Sequence, residues 1–292
     1  MIFKLYKIFV LLIFCFIASC SFAQNNALKY FEEGKLYGKS AQYEEAIRYF
    51  DLSIEEDSNF YKAYRGKGLA LYKQGRYPEA LECFNQVIEI FPNNKSYIHK
   101  GIVLDALGDY LGAIKLYDKA IQINNKDYLA YLNKAYSLIN LRRYDEALKI
   151  CNQGITIIQA NSILYDTKGA AILYNTKGAA LAMLNRYQEA IDSYNQTIKL
   201  NPNYYEPHKN KFCPLYNLKR YQEALETCDK AIALEPNRHN IYEVNTNRAM
   251  ALNKLERYKE ALEAAETALK IMPDYEMAIN AKKYAVHQLN KD

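Results

Sequence analysis

Small, aromatic and apolar positions recur along this chain in one pattern. Seven alanines in similar surroundings mark the pattern, and the spacings between them are 34, 33, 34, 43, 34 and 37 residues. They are Ala46, Ala80, Ala113, Ala147, Ala190, Ala224 and Ala261. A tyrosine stands three residues before each alanine, in the order Tyr43, Tyr77, Tyr110, Tyr144, Tyr187, Tyr221 and Tyr258. Because self-similarity at a fixed period is the signature of repeat architectures, we expect a stack of similar units.

Other positions of the period indicate that each unit is a pair of packed helices. Twelve residues before the alanine stands a small residue in six units: Gly34, Gly68, Gly101, Ala135, Gly178 and Ala249. Small residues there let the two helices approach closely, since large side chains would separate them and lose contact. An apolar spine of the first helices is expected from Leu71, Leu104, Leu138, Leu181, Leu215 and Leu252. Proline twelve residues after the alanine should end the second helix, at Pro92, Pro202, Pro236 and Pro273.

These positions resemble the tetratricopeptide repeat, a helix–turn–helix unit of about 34 residues. The resemblance implies an all-α solenoid, a right-handed superhelix of about seven repeats that fold as a quasi-linear array. The repeats should occupy residues 27–275, in the frames 27–60, 61–94, 94–127, 128–161, 171–204, 205–238 and 242–275. The 28 tyrosines then have mainly a structural role, because tyrosine buries its ring and keeps its hydroxyl in water.

A capping helix is expected to follow the last repeat, over residues 276–292. The apolar side chains that could cover the open end of the array are Met277, Ile279, Tyr284 and Val286. Lys282, Lys283 and Gln288 should face water.

The spacing of 43 residues reflects a nine-residue tandem duplication within 162–180. Residues 163–171 read ILYDTKGAA, and residues 172–180 read ILYNTKGAA. Nine residues correspond to two and a half helical turns, so Gly169 and Gly178 would face opposite sides of one helix. Only one of them can then fill the close-packing position, and the other must project, extend the preceding hairpin or form a loop. The duplication is either a slippage without function or a protrusion that contacts a ligand.

The sixth unit departs from the pattern at Phe212 and Pro214. Phe212 replaces the small residue and should widen the hairpin, while Pro214 should kink the first helix. A hinge, a pocket and a tolerated defect are all compatible with this. Cys151 and Cys228 stand at a position that is aromatic in four other units, where it is occupied by Phe50, Phe84, Tyr117 and Tyr194.

The first 23 residues have the anatomy of a secretory signal. Lys4 and Lys7 precede the unbroken apolar run 8–17, which is too short for a comfortable membrane span. Ser21-Phe22-Ala23 suits an ordinary signal peptidase, whereas Ile17-Ala18-Ser19-Cys20 resembles a relaxed bacterial lipobox with Cys20 as the lipidated residue. Both outcomes, and an uncleaved anchor, predict an exported chain in the bacterial envelope, periplasmic or lipid-anchored.

Composition and motifs favour an interaction protein over an enzyme. The net charge of +5 is too small for nucleic acid to be the expected partner. The four histidines are scattered without metal-ligand spacing, and no glycine-rich phosphate loop is present, so neither a metal nor a cofactor is expected. The cysteines of the repeats are Cys83, Cys151, Cys213 and Cys228, and a bridge between Cys213 and Cys228 is conceivable in an exported protein.

Similar arrays bind peptides in the concave groove that their first helices line. The register places Lys62, Arg65, Lys95, Asn133, Tyr136, Asn210, Tyr216 and Asn247 on that face. Asn133, Asn210 and Asn247 share one position, which resembles the asparagine ladder of the O-GlcNAc transferase repeat domain. Asparagine can pair with both backbone groups of a bound peptide, although chance placement is an alternative. Lys62, Arg65 and Lys95 form only part of the clamp that cochaperones use, so a heat-shock chaperone tail is disfavoured.

The function that follows is a non-catalytic scaffold that binds a protein or peptide partner on the exported side of a bacterial envelope. It would touch the membrane only through the N-terminal signal or lipid. One alternative is a lipoprotein pilot or assembly factor for outer-membrane or pilus components. A non-catalytic subunit of an enzyme complex is the other.

Overall fold

The computed structural model describes residues 24–160 and 166–291. The predicted signal, including Cys20, and residues 162–165 of the duplication lie outside the described residues. Within the described ranges the regular structure consists of fifteen α-helices and no strand. Helix α1 covers residues 24–39. The others are α2 (Tyr43–Glu56), α3 (Tyr61–Lys73), α4 (Tyr77–Ile90), α5 (Asn94–Ala106), α6 (Tyr110–Ile123), α7 (Tyr128–Asn140), α8 (Tyr144–Ala160), α9 (Thr167–Met183), α10 (Tyr187–Leu200), α11 (Tyr205–Asn217), α12 (Tyr221–Leu234), α13 (Ile241–Lys254), α14 (Tyr258–Ile271) and α15 (Glu276–Leu289).

The chain divides into two compact units, Met1–Asn133 and Lys134–Asp292. In the first unit, each helix from α2 to α6 packs against the next one along the chain. In the second unit the same holds from α8 to α15, and the first helices of successive hairpins also touch, α9 with α11, α11 with α13 and α13 with α15. Each unit is therefore built of stacked helical hairpins, which confirms the predicted all-α solenoid class.

Every second helix begins at the predicted tyrosine, from Tyr43 in α2 to Tyr258 in α14. The residue two positions earlier has a left-handed backbone in all seven turns, with φ between 57° and 83°. These residues are Ala41, Gly75, Gly108, Arg142, Asn185, Lys219 and Glu256. The next residue closes the turn through its backbone N–H, as where Arg186 donates to the Leu181 carbonyl at 2.9 Å. A left-handed residue closed by such a bond is a common way to end a helix.

The close-packing positions behave as the pattern predicts. All seven alanines are fully buried. A Cβ added to Gly178 would lie 2.6 Å from the Tyr194 ring, and one added to Gly101 would lie 2.5 Å from the Tyr117 ring. Such distances leave no room for a side chain, so the glycines permit the aromatic rings to fill the space between the two helices.

The ends of the second helices and most of the leucine spine also match the prediction. Helices α4, α10, α12 and α14 each end two residues before the proline. Five of the six spine leucines are at most 2% exposed, and the exception is Leu104, which is only partly buried. Its neighbour Val103 takes the buried place at 1% exposure.

The nine additional residues lengthen two helices. Both α8 and α9 have 17 residues, where α6 and α10 have 14. Gly169 and Gly178 lie in the single helix α9, and Gly178 fills the close-packing position. Gly169 is buried in the first turn, where its N–H donates to the Asp166 carboxylate at 2.8 Å. Of the three expected arrangements, the described residues therefore show lengthening of the helices.

The sixth hairpin accommodates its irregular residues. Helix α11 continues through Pro214 to Asn217, and Phe212 is buried in the same apolar cluster as Cys228. The capping helix α15 packs against α13 and α14 through Ala278, Ala281 and Ala285. The prediction that large apolar side chains cover the end of the array was wrong in part. Met277 and Tyr284 are each 46% exposed, and small alanines make the contact instead.

Candidate functional site

The surface of interest is the first-helix face, defined in the first unit by α1, α3 and α5 and in the second by α9, α11 and α13. The predicted cations lie on it in the first unit. Lys62 and Lys95 are exposed, and Arg65 is half-buried. None of the three forms an ion pair among the described residues. They are therefore available to a ligand.

His99 lies beside two of these cations. Its ring stacks on that of Phe84, with the centroids 5.5 Å apart. Burial lowers the pKa of His99 from 6.5 to about 4, and the charges of Arg65 and Lys95 add to the effect. Its buried Nδ1 has no hydrogen-bond partner within the described part of the chain. The imidazole is thus neutral at pH 7 and adds no further positive charge to this face.

The three predicted asparagines differ in how much of their hydrogen-bonding capacity the protein uses. The Asn133 amide, on α7 in the first unit, donates to the Leu129 carbonyl at 2.7 Å. The Asn210 amide donates to the Asn175 side-chain oxygen at 3.3 Å. Asn247 is half-buried on α13, and its side chain has no hydrogen bond among the described residues. The sequence reading missed Asn175, because the unit that contains it has Thr176 at the ladder position.

The two predicted tyrosines have unequal access to a ligand. Tyr136 on α7 is 40% exposed. Tyr216 on α11 is half-buried in a row of rings, with its centroid 5.3 Å from Phe212 and 5.3 Å from Tyr221. Tyr216 therefore contributes mainly to packing.

Two ion pairs of the second unit lie near this face. Lys209 of α11 contacts Glu243 of α13 at 2.6 Å. Arg238 pairs with Glu206 and lies over the Tyr205 ring at 4.3 Å from its centroid. Among the predicted site residues, the second unit thus offers amides and aromatic rings, whereas the first unit offers unpaired cations.

The cysteines show no reactive arrangement among the described residues. Cys213 and Cys228 are free thiols, so the conceivable bridge between them is not formed. Burial raises the pKa of both thiols, and Cys213 is the exposed one. Within the described ranges, no His, Cys, Asp and Glu side chains cluster in a way that could hold a metal ion. None of the helices described there has the length and apolar character needed to cross a membrane.

Three family models match the chain, and all describe tetratricopeptide repeats. One matches residues 61–94 and 171–204, a second matches 106–168, and a third matches 27–60, 215–238 and 242–275. Together they cover more than half of the chain. The chain belongs to the tetratricopeptide repeat family. The matched segments at 27–60, 61–94, 171–204 and 242–275 coincide with four of the predicted frames.

Comparisons with individual tetratricopeptide repeat proteins agree. A repeat-containing protein of Methanocaldococcus jannaschii is 27% identical over 58% of this chain, and the match spans 31% of that relative. Among solved structures, the APC/C hetero-tetramer Cut9–Hcn1 has a TM-score of 0.66 at 21% identity, covering 78% of this chain and 43% of that one. The peptide-binding TPR protein YrrB has a TM-score of 0.52 at 22% identity, covering 70% of this chain and 99% of that one. At these identities the structural likeness shows the fold.

Proposed function

We propose that this protein is a non-catalytic scaffold that binds a peptide or protein segment on its first-helix face. The observation that carries the proposal is the side chain of Asn247, a half-buried amide without a partner among the described residues. The side chain of Asn210, on the adjacent helix α11, makes only one hydrogen bond and can therefore form further hydrogen bonds with a ligand. Amides of this kind suit the N–H and C=O groups of a bound backbone. Two proteins of similar fold support the same class of function: YrrB is described as having a peptide-binding site, and Cut9 forms a hetero-tetramer with Hcn1.

A double variant tests this proposal against an affinity-captured partner. Asn210→Ala with Asn247→Ala should weaken capture roughly thirtyfold, because each lost hydrogen bond contributes on the order of 1 kcal/mol. The matched control changes exposed residues of second helices in the same unit, Lys149→Ala and Glu226→Ala. The proposal is wrong if the control weakens capture as much as the asparagine double variant, or if the asparagine double variant leaves it unchanged.

Export to the bacterial envelope is a further part of the proposed function, and it rests on the sequence of residues 1–23. A fusion of residues 1–30 to a reporter that works only outside the cytoplasm should be active. If Cys20 is the lipidated residue, labelled fatty acid should enter the protein and Cys20→Ser should abolish the label. A stable but silent fusion contradicts export, and a soluble product starting at Gln24 contradicts lipidation.

A further inference from the structure

A cleft opens on the first-helix face between α1 and α3, with a volume of about 340 Å³. It exists because Gly38 of α1 and Gly66 of α3 present no side chain to it. Phe50 of α2 forms the floor, and a Cβ added to Gly66 would lie only 2.6 Å from that ring. Leu69 lines the cleft and is 40% exposed. The space and its lining suit one large apolar side chain of a ligand.

Three lysines surround this apolar cleft. Lys39 and Lys73 form no ion pair among the described residues. Lys35 contacts Glu32 at 2.6 Å, but both side chains are about half exposed. Exposed pairs of this kind contribute little to stability, so Lys35 can exchange its partner for a carboxylate of a ligand. The rim is therefore positively charged around an apolar centre.

Helices α3 and α4 also carry opposite charges. Helix α3 has four cationic side chains and no carboxylate, whereas α4 behind it has three carboxylates and no cation. The cations of α3 are Lys62, Arg65, Lys67 and Lys73. Of these, only Lys67 is paired, with Asp51 at 2.6 Å. The resulting field favours an anionic partner on the first-helix side of this unit.

We propose that the cleft binds an acidic peptide segment by taking up one large apolar side chain between α1 and α3. Carboxylates that flank this side chain in the peptide pair with Lys39 and Lys73. Burial of the apolar anchor supplies affinity, and the charges orient the segment and accelerate its association. This inference rests on the proposed function and adds to it an acidic ligand segment that binds on the first unit.

Fluorescence anisotropy with the purified protein tests the ligand class. The probe is a labelled peptide with one leucine between pairs of glutamates and aspartates. Two matched probes replace the leucine by alanine or every acidic residue by lysine. The acidic leucine peptide should bind at least about tenfold more tightly than either, and its affinity should fall as salt rises. Equal affinities of the three probes, or no binding of the first, would overturn the inference.

A cleft-filling variant tests the location. A Cβ at Gly38 would lie 3.9 Å from the Ala46 Cβ, an ordinary contact, so a side chain is tolerated there. Because Gly38 lines the cleft, Gly38→Leu should place its larger side chain in that space. We expect at least about a tenfold loss of affinity, because the anchor can no longer enter. Gly38→Ala is the matched control, since one methyl group leaves most of the cleft open. An equal effect of both variants, or no effect of Gly38→Leu, contradicts the location.

A charge variant tests the rim. Lys39→Gln with Lys73→Gln should weaken the acidic peptide and flatten its salt dependence. Lys115→Gln with Lys149→Gln removes the same charge from exposed positions of second helices and should change little. Equal effects of the two pairs would show a general rather than a local charge effect and contradict the inference.

The remaining outcomes separate this inference from the proposed function. Peptide binding that is lost in the Asn210→Ala, Asn247→Ala variant but unaffected by Gly38→Leu would refute the cleft and leave the first-helix face as the binding surface. Sodium laurate serves as a competitor of another class. If laurate binds with the dependence on Gly38 and Lys73 expected here and the peptide does not, the cleft is a fatty-acid site and the peptide inference is wrong.

Discussion

Phe212 and Cys228 reverse the sizes that four other hairpins give to the same two positions. In the preceding hairpin, Gly178 is the small residue and Tyr194 is the ring that fills the space beside it. In the sixth hairpin the large residue is Phe212, which is 6% exposed, and the small one is Cys228, which is 1% exposed. Because volume-conserving exchanges are tolerated best, the core of this hairpin stays filled where Phe212 alone suggested a wider one.

A double-mutant cycle measures this exchange. Phe212→Gly should cost roughly 3–5 kcal/mol through the cavity it leaves, and Cys228→Phe should cost about 1–3 kcal/mol through overpacking. The double variant restores the glycine–aromatic pair, so its cost should be at least about 1 kcal/mol below the sum of the two. Urea unfolding gives the three free energies. Additive costs would show that the two side chains do not share one space.

The seven left-handed turn residues predict stabilising substitutions. Arg142, Lys219 and Glu256 have φ of 58°, 60° and 60°, a conformation that disfavours residues with a Cβ. Arg142→Gly, Lys219→Gly or Glu256→Gly should each raise the free energy of unfolding by roughly 0.5–1 kcal/mol, after the entropy cost of glycine. Gly75→Ala is the reverse control and should lower it by a similar amount. Thermal unfolding checks both signs, and a loss of stability in the glycine variants would contradict the turn geometry.

The alanine positions predict a contrast in sensitivity to added bulk. Ala113 and Ala190 are fully buried between helices, so leucine at either should cost roughly 1–3 kcal/mol. Ala41 is exposed in a turn, and Ala41→Leu should cost far less because its new atoms reach water. Melting temperatures of the three variants provide the measurement. Equal shifts would mean that the assigned register is wrong.

His99 predicts a loss of stability in mild acid. Its pKa in the folded protein is lowered to about 4, while the unfolded chain takes up a proton near the ordinary value of 6.5. Between those values the unfolded state binds more protons, so the free energy of unfolding falls as pH falls from 6.5 towards 4. The His99→Gln variant should lack this component. The control is His287→Gln, because His287 is exposed. If the free energy of unfolding of His99→Gln depends on pH as that of the unchanged protein does, the buried, neutral imidazole is contradicted.

The fold could be predicted because its determinants are local and repeated. The helix starts at tyrosine, the buried alanines and the helix ends before proline all depend on residue size or backbone freedom within one hairpin. The prediction of a wider sixth hairpin considered Phe212 without Cys228. The exchange of sizes between these two residues was missed because it depends on a contact between two helices. The capping helix was misread for a related reason: its alanines, and not its large apolar residues, fit closely against α13 and α14.

The candidate site was less accessible to sequence reasoning. The register predicted Lys62 and Lys95 for this face, and both are exposed and without an ion pair among the described residues; their role in binding stays a prediction. It could not indicate the hydrogen bond from Asn210 to Asn175, since that bond joins two hairpins whose residues are 35 positions apart in the sequence. The cleft between α1 and α3 was also missed, because it depends on two glycines that meet only when the hairpins stack.

Site-specific photo-crosslinking tests most directly whether the first-helix face binds the partner. A benzophenone amino acid would replace exposed Leu69 of α3 or Met183 of α9, and in matched variants Glu82 of α4 or Glu226 of α12. Illumination in the producing cells, followed by mass spectrometry of the adducts, identifies the segment within reach of each position. The account predicts adducts to a peptide segment from Leu69 or Met183 and none from the two glutamate positions. Adducts from the glutamate positions alone would contradict it.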